Sequence, residues 1–151
     1  LAEKDVINTL TPGLEAFAVR ADAAQVAAVG AAGMQIQSDS IMQEPTPPLE
    51  EGTLRGSNSL HVGDEFVRTV DVPEDTEDAD PNTDALADGH TEHQKVATVG
   101  FNTPYAARHH EIPADFVEPG SGNKYLETPM SENAAEYGKL MADTHKKVID
   151  A

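Results

Sequence analysis

The chain has no cysteine and no tryptophan, only three tyrosines and four phenylalanines, and ten lysines and arginines against 27 aspartates and glutamates in 151 residues. Without cysteine there are no disulfides, no thiolate nucleophile and no thiolate ligands for a metal. The shortage of bases gives a formal charge of -17 and argues against gripping nucleic acid through a basic groove, where Lys and Arg must replace counterions. No run approaches the roughly 18 consecutive apolar residues of a membrane span. No basic start followed by an apolar stretch marks a secretion leader, so a protein made and assembled in the cytoplasm, with no membrane partner, is expected.

What is present fits one domain over residues 1–151. A chain of this size hides about 68–70% of its extended surface when compact. The apolar fraction is 38%, mostly Ala and Val, so the core is expected to be thin and supported by neighbouring subunits. The acidic excess self-repels in dilute buffer and is screened over about 3 Å in molar salt, which suggests a salt-rich host. A single acidic loop on an otherwise ordinary protein is the other explanation, and Pro73 to His93, rich in Asp and Glu and free of Lys and Arg, is such an insertion. With almost no large apolar side chains to bury, it is expected to be exposed or flexible.

Periodicity predicts an α+β fold: a long N-terminal helix packed on a small antiparallel β-sheet, with a C-terminal amphipathic helix. The first helix is expected from Pro12 to about Gln43, capped by Thr11 and stopped by Pro45, Pro47 and Pro48. Leu14, Phe17, Ala21, Ala24, Ala28 and Ala31 would share its buried face, and the small residues from Ala23 to Gly33 would admit another backbone, from a sheet or from a neighbouring subunit. Leu54–Val62 and Phe66–Val72, joined by Gly63-Asp64, read as a hairpin. Lys95–Phe101, apolar on both faces, reads as a central strand. Residues 102–124 read as irregular, with a helical turn at Tyr105–His110. A last helix is expected from a Thr128 cap and Pro129 to about Val148, burying Met130, Ala134, Tyr137, Met141, Thr144 and Val148.

Side chains capable of chemistry are present without the patterns that chemistry needs. The adjacent His109 and His110 point apart in regular structure, and His90 and His93 flank the acidic loop without a visible third ligand. Asp78, Asp80 and Asn82 start like a calcium loop, but Thr83 replaces its glycine and Gly89 its bidentate glutamate. Ser57, Ser59, His61 and Asp64 are the letters of a hydrolytic triad without the nucleophile's glycine elbow. No catalytic residue, cofactor site or metal site is assigned. Arg55 stands out among scarce bases and is expected to remain solvated or to pair with Glu111 or a partner's carboxylate.

Three short motifs recur in a telling order: Gly52-Thr53-Leu54-Arg55-Gly56-Ser57, then Tyr105-Ala106 with His110-Glu111, then Lys124-Tyr125-Leu126-Glu127. With the Ala-rich helix before them, a strand ending in Val99-Gly100 and the amphipathic helix after, they resemble the minor tail-component, or neck and tail-completion, proteins of long-tailed viruses of bacteria and archaea. The likeness runs from about Pro12 to Val148; the acidic insertion departs from it. It implies a virion structural protein of the head–tail interface, a homo-oligomeric ring with six subunits favoured over twelve. Its partners would be the head-closure or connector protein and the tail-terminator or tail-tube protein. DNA would pass through the channel without sequence-specific binding. Gly52, Thr53, Leu54, Arg55, Tyr105, Ala106, His110, Glu111, Lys124, Tyr125 and Leu126 are the motif and interface candidates. A minor capsid or decoration protein is the alternative within the structural class. A salt-adapted metal-dependent enzyme using His90, His93, His109 and the acidic loop is the alternative outside it.

Overall fold

The computed structural model describes residues 3–48, 53–63, 65–69 and 95–151; the acidic segment, Gly52 and Asp64 lie outside the described residues. Among the described residues five helices and three strands follow in the order α1 (Glu3–Met42), α2 (Thr53–Gly56), β1 (Asn58–Val62), β2 (Glu65–Thr69), β3 (Ala97–Phe101), α3 (Ala106–Glu111), α4 (Glu127–Glu132) and α5 (Ala134–Asp150). This is the expected α+β arrangement of a long helix, a small antiparallel sheet and a closing helix.

Helix α1 begins nine residues before Pro12, so Pro12 is interior and Thr11 is not its cap. A proline there forfeits one backbone hydrogen bond. The loss falls where residues 11–20 are all exposed and water is at hand. Of the predicted apolar stripe Ala24 and Ala28 are buried and Ala21 and Ala31 half-buried, whereas Leu14 and Phe17 stand in solvent; Ala32, outside that stripe, is buried.

The small-residue stretch of α1 seats the chain's own sheet. A Cβ on Gly33 would lie 2.6 Å from Leu60 Cδ1 and 2.9 Å from the Ala97 Cβ, and one on Gly30 would touch Val62. Strand β1 therefore lies on α1 with Asn58, Leu60 and Val62 inward, and Asn58 Nδ2 donates to Ser40 Oγ at 3.1 Å. Sheet order is β2-β1-β3 with both pairings antiparallel, and Gly63, at φ 63°, starts the hairpin turn. Strand β1 thus holds the centre and β3 an edge, contrary to expectation; α1 covers the β3 face that carries Ala97, so its apolar character needs no second neighbouring strand. Leu54–Gly56, expected to be extended, instead forms the turn α2, and β1 starts only at Asn58.

The expected single C-terminal helix is two. Leu126 holds the N-cap position of α4 without a side-chain bond, Pro129 is its third residue, and the chain breaks at Asn133. Asn133 Nδ2 donates to Gln43 Oε1 at 2.7 Å, and Gln43 Nε2 donates to Glu132 Oε2 at 3.1 Å, so the break is held against the end of α1. Buried Tyr137 donates to Asp39 Oδ2 at 2.8 Å, while Arg20 Nη1 reaches the Ile149 carbonyl at 3.4 Å. Helix α5 therefore runs antiparallel to α1 from Asp39 back to Arg20. Of its expected stripe Tyr137 is buried, Met141, Thr144 and Val148 are half-buried, and Met130 and Ala134 are exposed.

Gly33→Ala should destabilise the fold by about 1–2 kcal/mol, because crowding against Ala97 outweighs the helix-propensity gain of about 1 kcal/mol. Gly138→Ala, with nothing within 4 Å of the new methyl group, should stabilise it by about 1 kcal/mol. Urea melts of the two variants check both signs.

Candidate functional site

The three motifs meet at one place. Leu54 from α2, Ala106 from α3 and Tyr125 form a buried cluster, with Phe101 and Leu126 packed against it. The Tyr125 hydroxyl donates to the Ala106 carbonyl at 3.0 Å. Its ring is met edge-on by Phe101 at 4.9 Å and by His110 at 5.0 Å. Tyr105 behaves differently from its neighbour Ala106: it points outward, its ring edge-on to His109 at 5.4 Å.

Around this cluster lies a polar clasp. Lys124 Nζ donates to Glu111 Oε2 at 2.6 Å and to Glu127 Oε2 at 2.8 Å. His110 Nδ1 lies 2.7 Å from Glu111 Oε1, and the Glu127 N–H points at His110 Nε2 at 3.4 Å. A neutral ring protonated at Nδ1 serves both contacts. Lys124 has φ 61°, in the left-handed region that costs a side-chain-bearing residue energy. Backbone bonds from Lys124 N–H to the His110 carbonyl and from Thr128 N–H to the Lys124 carbonyl, both 2.9 Å, hold it there with the ion pairs.

The hydrogen bond from Lys124, then that from His110, lowers the Glu111 pKa below its ordinary 4.5. Glu111, then Glu127, raises the Lys124 pKa above 10.5. The Glu111 contribution to stability is therefore complete above 4.5 and is lost as pH falls through its lowered value. The Lys124 contribution is complete below 10.5 and is lost as pH rises through its raised value.

His110, Glu111 and Glu127 also bring donor atoms within 4.8 Å of one another, a spacing that a metal ion can use. The Lys124 ammonium already bridges both carboxylates, and both His110 nitrogens are engaged. His90 and His93 lie outside the described residues, and the His109 ring rests between Tyr105 and Phe116. Ser57 Oγ donates to the Leu54 carbonyl and accepts from the Asn102 N–H, which commits it to structure.

Arg55, half-buried, pairs with Glu118 and not with Glu111. Its Nε donates to the Pro47 carbonyl at 2.8 Å, and its Nη2 reaches Glu118 Oε2 at 2.9 Å and Thr46 Oγ1 at 3.3 Å. Ser121 Oγ donates to the same Glu118 oxygen, and Thr46 bridges Ser121. One guanidinium thus joins the proline loop to the 118–121 turn. Sequence reasoning missed Glu118, although Pro119-Gly120, with Gly120 at φ 83°, is a turn signal that could have placed it. Thr53 lies in α2, at the start of this stretch.

Arg55→Lys should cost about 1–2 kcal/mol in denaturant melts, since one ammonium cannot occupy the places of both Nε, which holds the Pro47 carbonyl, and Nη2, which holds Glu118 and Thr46. Burial, then the Glu111 charge, pushes the Tyr125 pKa from 10.0 up to about 12, and burial foremost does the same to Tyr137. A raised folded-state pKa contributes stability fully below 10 that is lost as pH climbs toward 12. Tyr125→Phe should lower stability near neutrality by about 1–2 kcal/mol. It should also flatten the alkaline loss, and melts across that range check both effects.

No family model, curated protein or solved structure matches the chain, so its own residues carry the functional reading.

Proposed function

We propose that the chain is a structural subunit of the head–tail junction of a tailed virus, a neck or tail-completion protein that assembles as a closed ring. Six copies are favoured over twelve. The observation that carries this reading is the meeting of the three resembling motifs. Residues some 70 positions apart, Leu54 and Tyr125 among them, share one buried cluster, and the surrounding Arg55, His110, Glu111 and Lys124 are engaged in tying segments together. Such a cluster makes a rigid building block.

Two further features support it. Among the described residues the buried apolar set is small, half of it alanine, while Leu14, Phe17, Ile112 and Val117 remain exposed, as expected of a subunit completed by neighbours. An acidic ring also lets DNA slide past without binding it. The ring would sit between the head-closure or connector protein and the tail-terminator or tail-tube protein, after assembly in the host cytoplasm.

Electron microscopy of particles produced without this protein tests the role. Filled heads and tails that fail to join, or fail to stay joined, are expected; normal infectious particles would refute it.

A further inference from the structure

Strand β3 ends the sheet with half of its backbone unpaired. Its bonds to β1 are phased by the Gly63 N–H to the Val96 carbonyl at 2.8 Å and the Asn102 N–H to the Ser57 carbonyl at 3.3 Å. In the antiparallel register between them, Thr98 and Gly100 lie opposite His61 and Ser59 and bond to β1. The N–H and C=O groups of Ala97, Val99 and Phe101 therefore point away from the sheet. Among the described residues nothing bonds to those groups.

Such an edge is normally blunted by a proline, a charge, a bulge or a covering segment. Strand β3 has no proline, and its register with β1 runs without a bulge. No charged residue or histidine occurs from Val96 to Ala107, although a quarter of the chain is charged, so an uncharged partner strand would bury no charge here. Beside the edge an apolar groove of about 360 Å³ runs between α1 and α5, from Lys95 at the start of β3 to Ala28, Val29, Met141 and Ala142. Helix α5 thus lies beside α1 on the β3 side and forms a floor under the position next to β3.

Geometry decides what fits that position. Pairing β3 with the β3 of a second copy about a two-fold axis would set the two β1 strands three spacings apart, about 15 Å. The two α1 helices, which pack under β1 and β3, would be no farther apart. Between them would have to lie both α5 helices, and four helices side by side at about 8–10 Å span roughly 24–30 Å. A folded second copy is therefore excluded from that pairing, whereas an extended segment with no helix beneath it fits.

We infer that the β3 edge binds an extended, uncharged segment of another protein as a fourth strand, with apolar side chains at alternate positions. Ala97, Val99 and Phe101 supply the backbone bonds, and the α1/α5 groove receives the side chains on the helix face. This binding is independent of the ring.

Hydrogen exchange of the full chain by NMR tests it, with a probe peptide of alternating valine and threonine between terminal lysines, in molar salt to screen charge attraction. Without peptide, the Ala97, Val99 and Phe101 amides should exchange faster than those of Thr98 and Gly100; with it they should be slowed at least about 10-fold. Val99→Pro removes an outward N–H and no bond to β1, so circular dichroism should show it folded, and it should weaken peptide binding at least about 10-fold. Ala142→Trp, at an exposed position on the groove wall, is the second variant and should weaken binding without unfolding the chain. Bound peptide that leaves those three amides unprotected, or binding that a folded Val99→Pro does not weaken, would overturn the inference. Protection of the same amides without peptide, rising with protein concentration, would assign the edge to a second copy and overturn it too.

Discussion

At Gly33 the backbone of α1 comes so close to the sheet that Leu60 and Ala97 occupy the space a side chain would need. That contact fixes the height of the sheet on the helix. It orients β1 so that Asn58, Leu60 and Val62 point inward, while Ala28, on another side of α1, faces α5. With β1 in the centre, β3 delivers Phe101 to the edge of the Leu54–Tyr125 cluster. At that contact the chain trades core volume for close approach.

The motif cluster then depends on a second constraint, the bonding of irregular segments that have no regular partner. Lys124 sits in an unfavourable backbone region because two carboxylates and two backbone bonds hold it. Arg55 plays the corresponding part for the proline loop and the 118–121 turn. These cationic side chains, scarce in so acidic a sequence, are placed where they each satisfy several acceptors at once. Arg55 and Lys124 thus serve as internal ties in a chain with only ten lysines and arginines.

The elements that follow local rules were legible in the sequence: the hairpin at Gly63, the short helix after Tyr105, the long flanking helices. What failed depended on distant partners. Apolar residues on both faces placed β3 in the middle of the sheet, whereas α1 supplies the cover on one of them. Pro12 reads as a helix start, yet it sits in an exposed stretch where the missing hydrogen bond is tolerated. Asn133 carries no strong break signal, and its role becomes visible only when Gln43, 90 positions away, is beside it. At the candidate site the motifs share one buried cluster, while Arg55, left open in the sequence between solvent, Glu111 and a partner's carboxylate, pairs with Glu118. Glu118 is the acid that the Pro119-Gly120 turn brings within reach.

A buried motif cluster and a small apolar core fit the proposal of a subunit that stacks copies into a collar. The most direct measurement is the number of copies in each purified particle, by quantitative mass spectrometry against the portal or tail-tube protein. Six or twelve copies per particle is the expected result. Hundreds of copies, or none, would contradict the account.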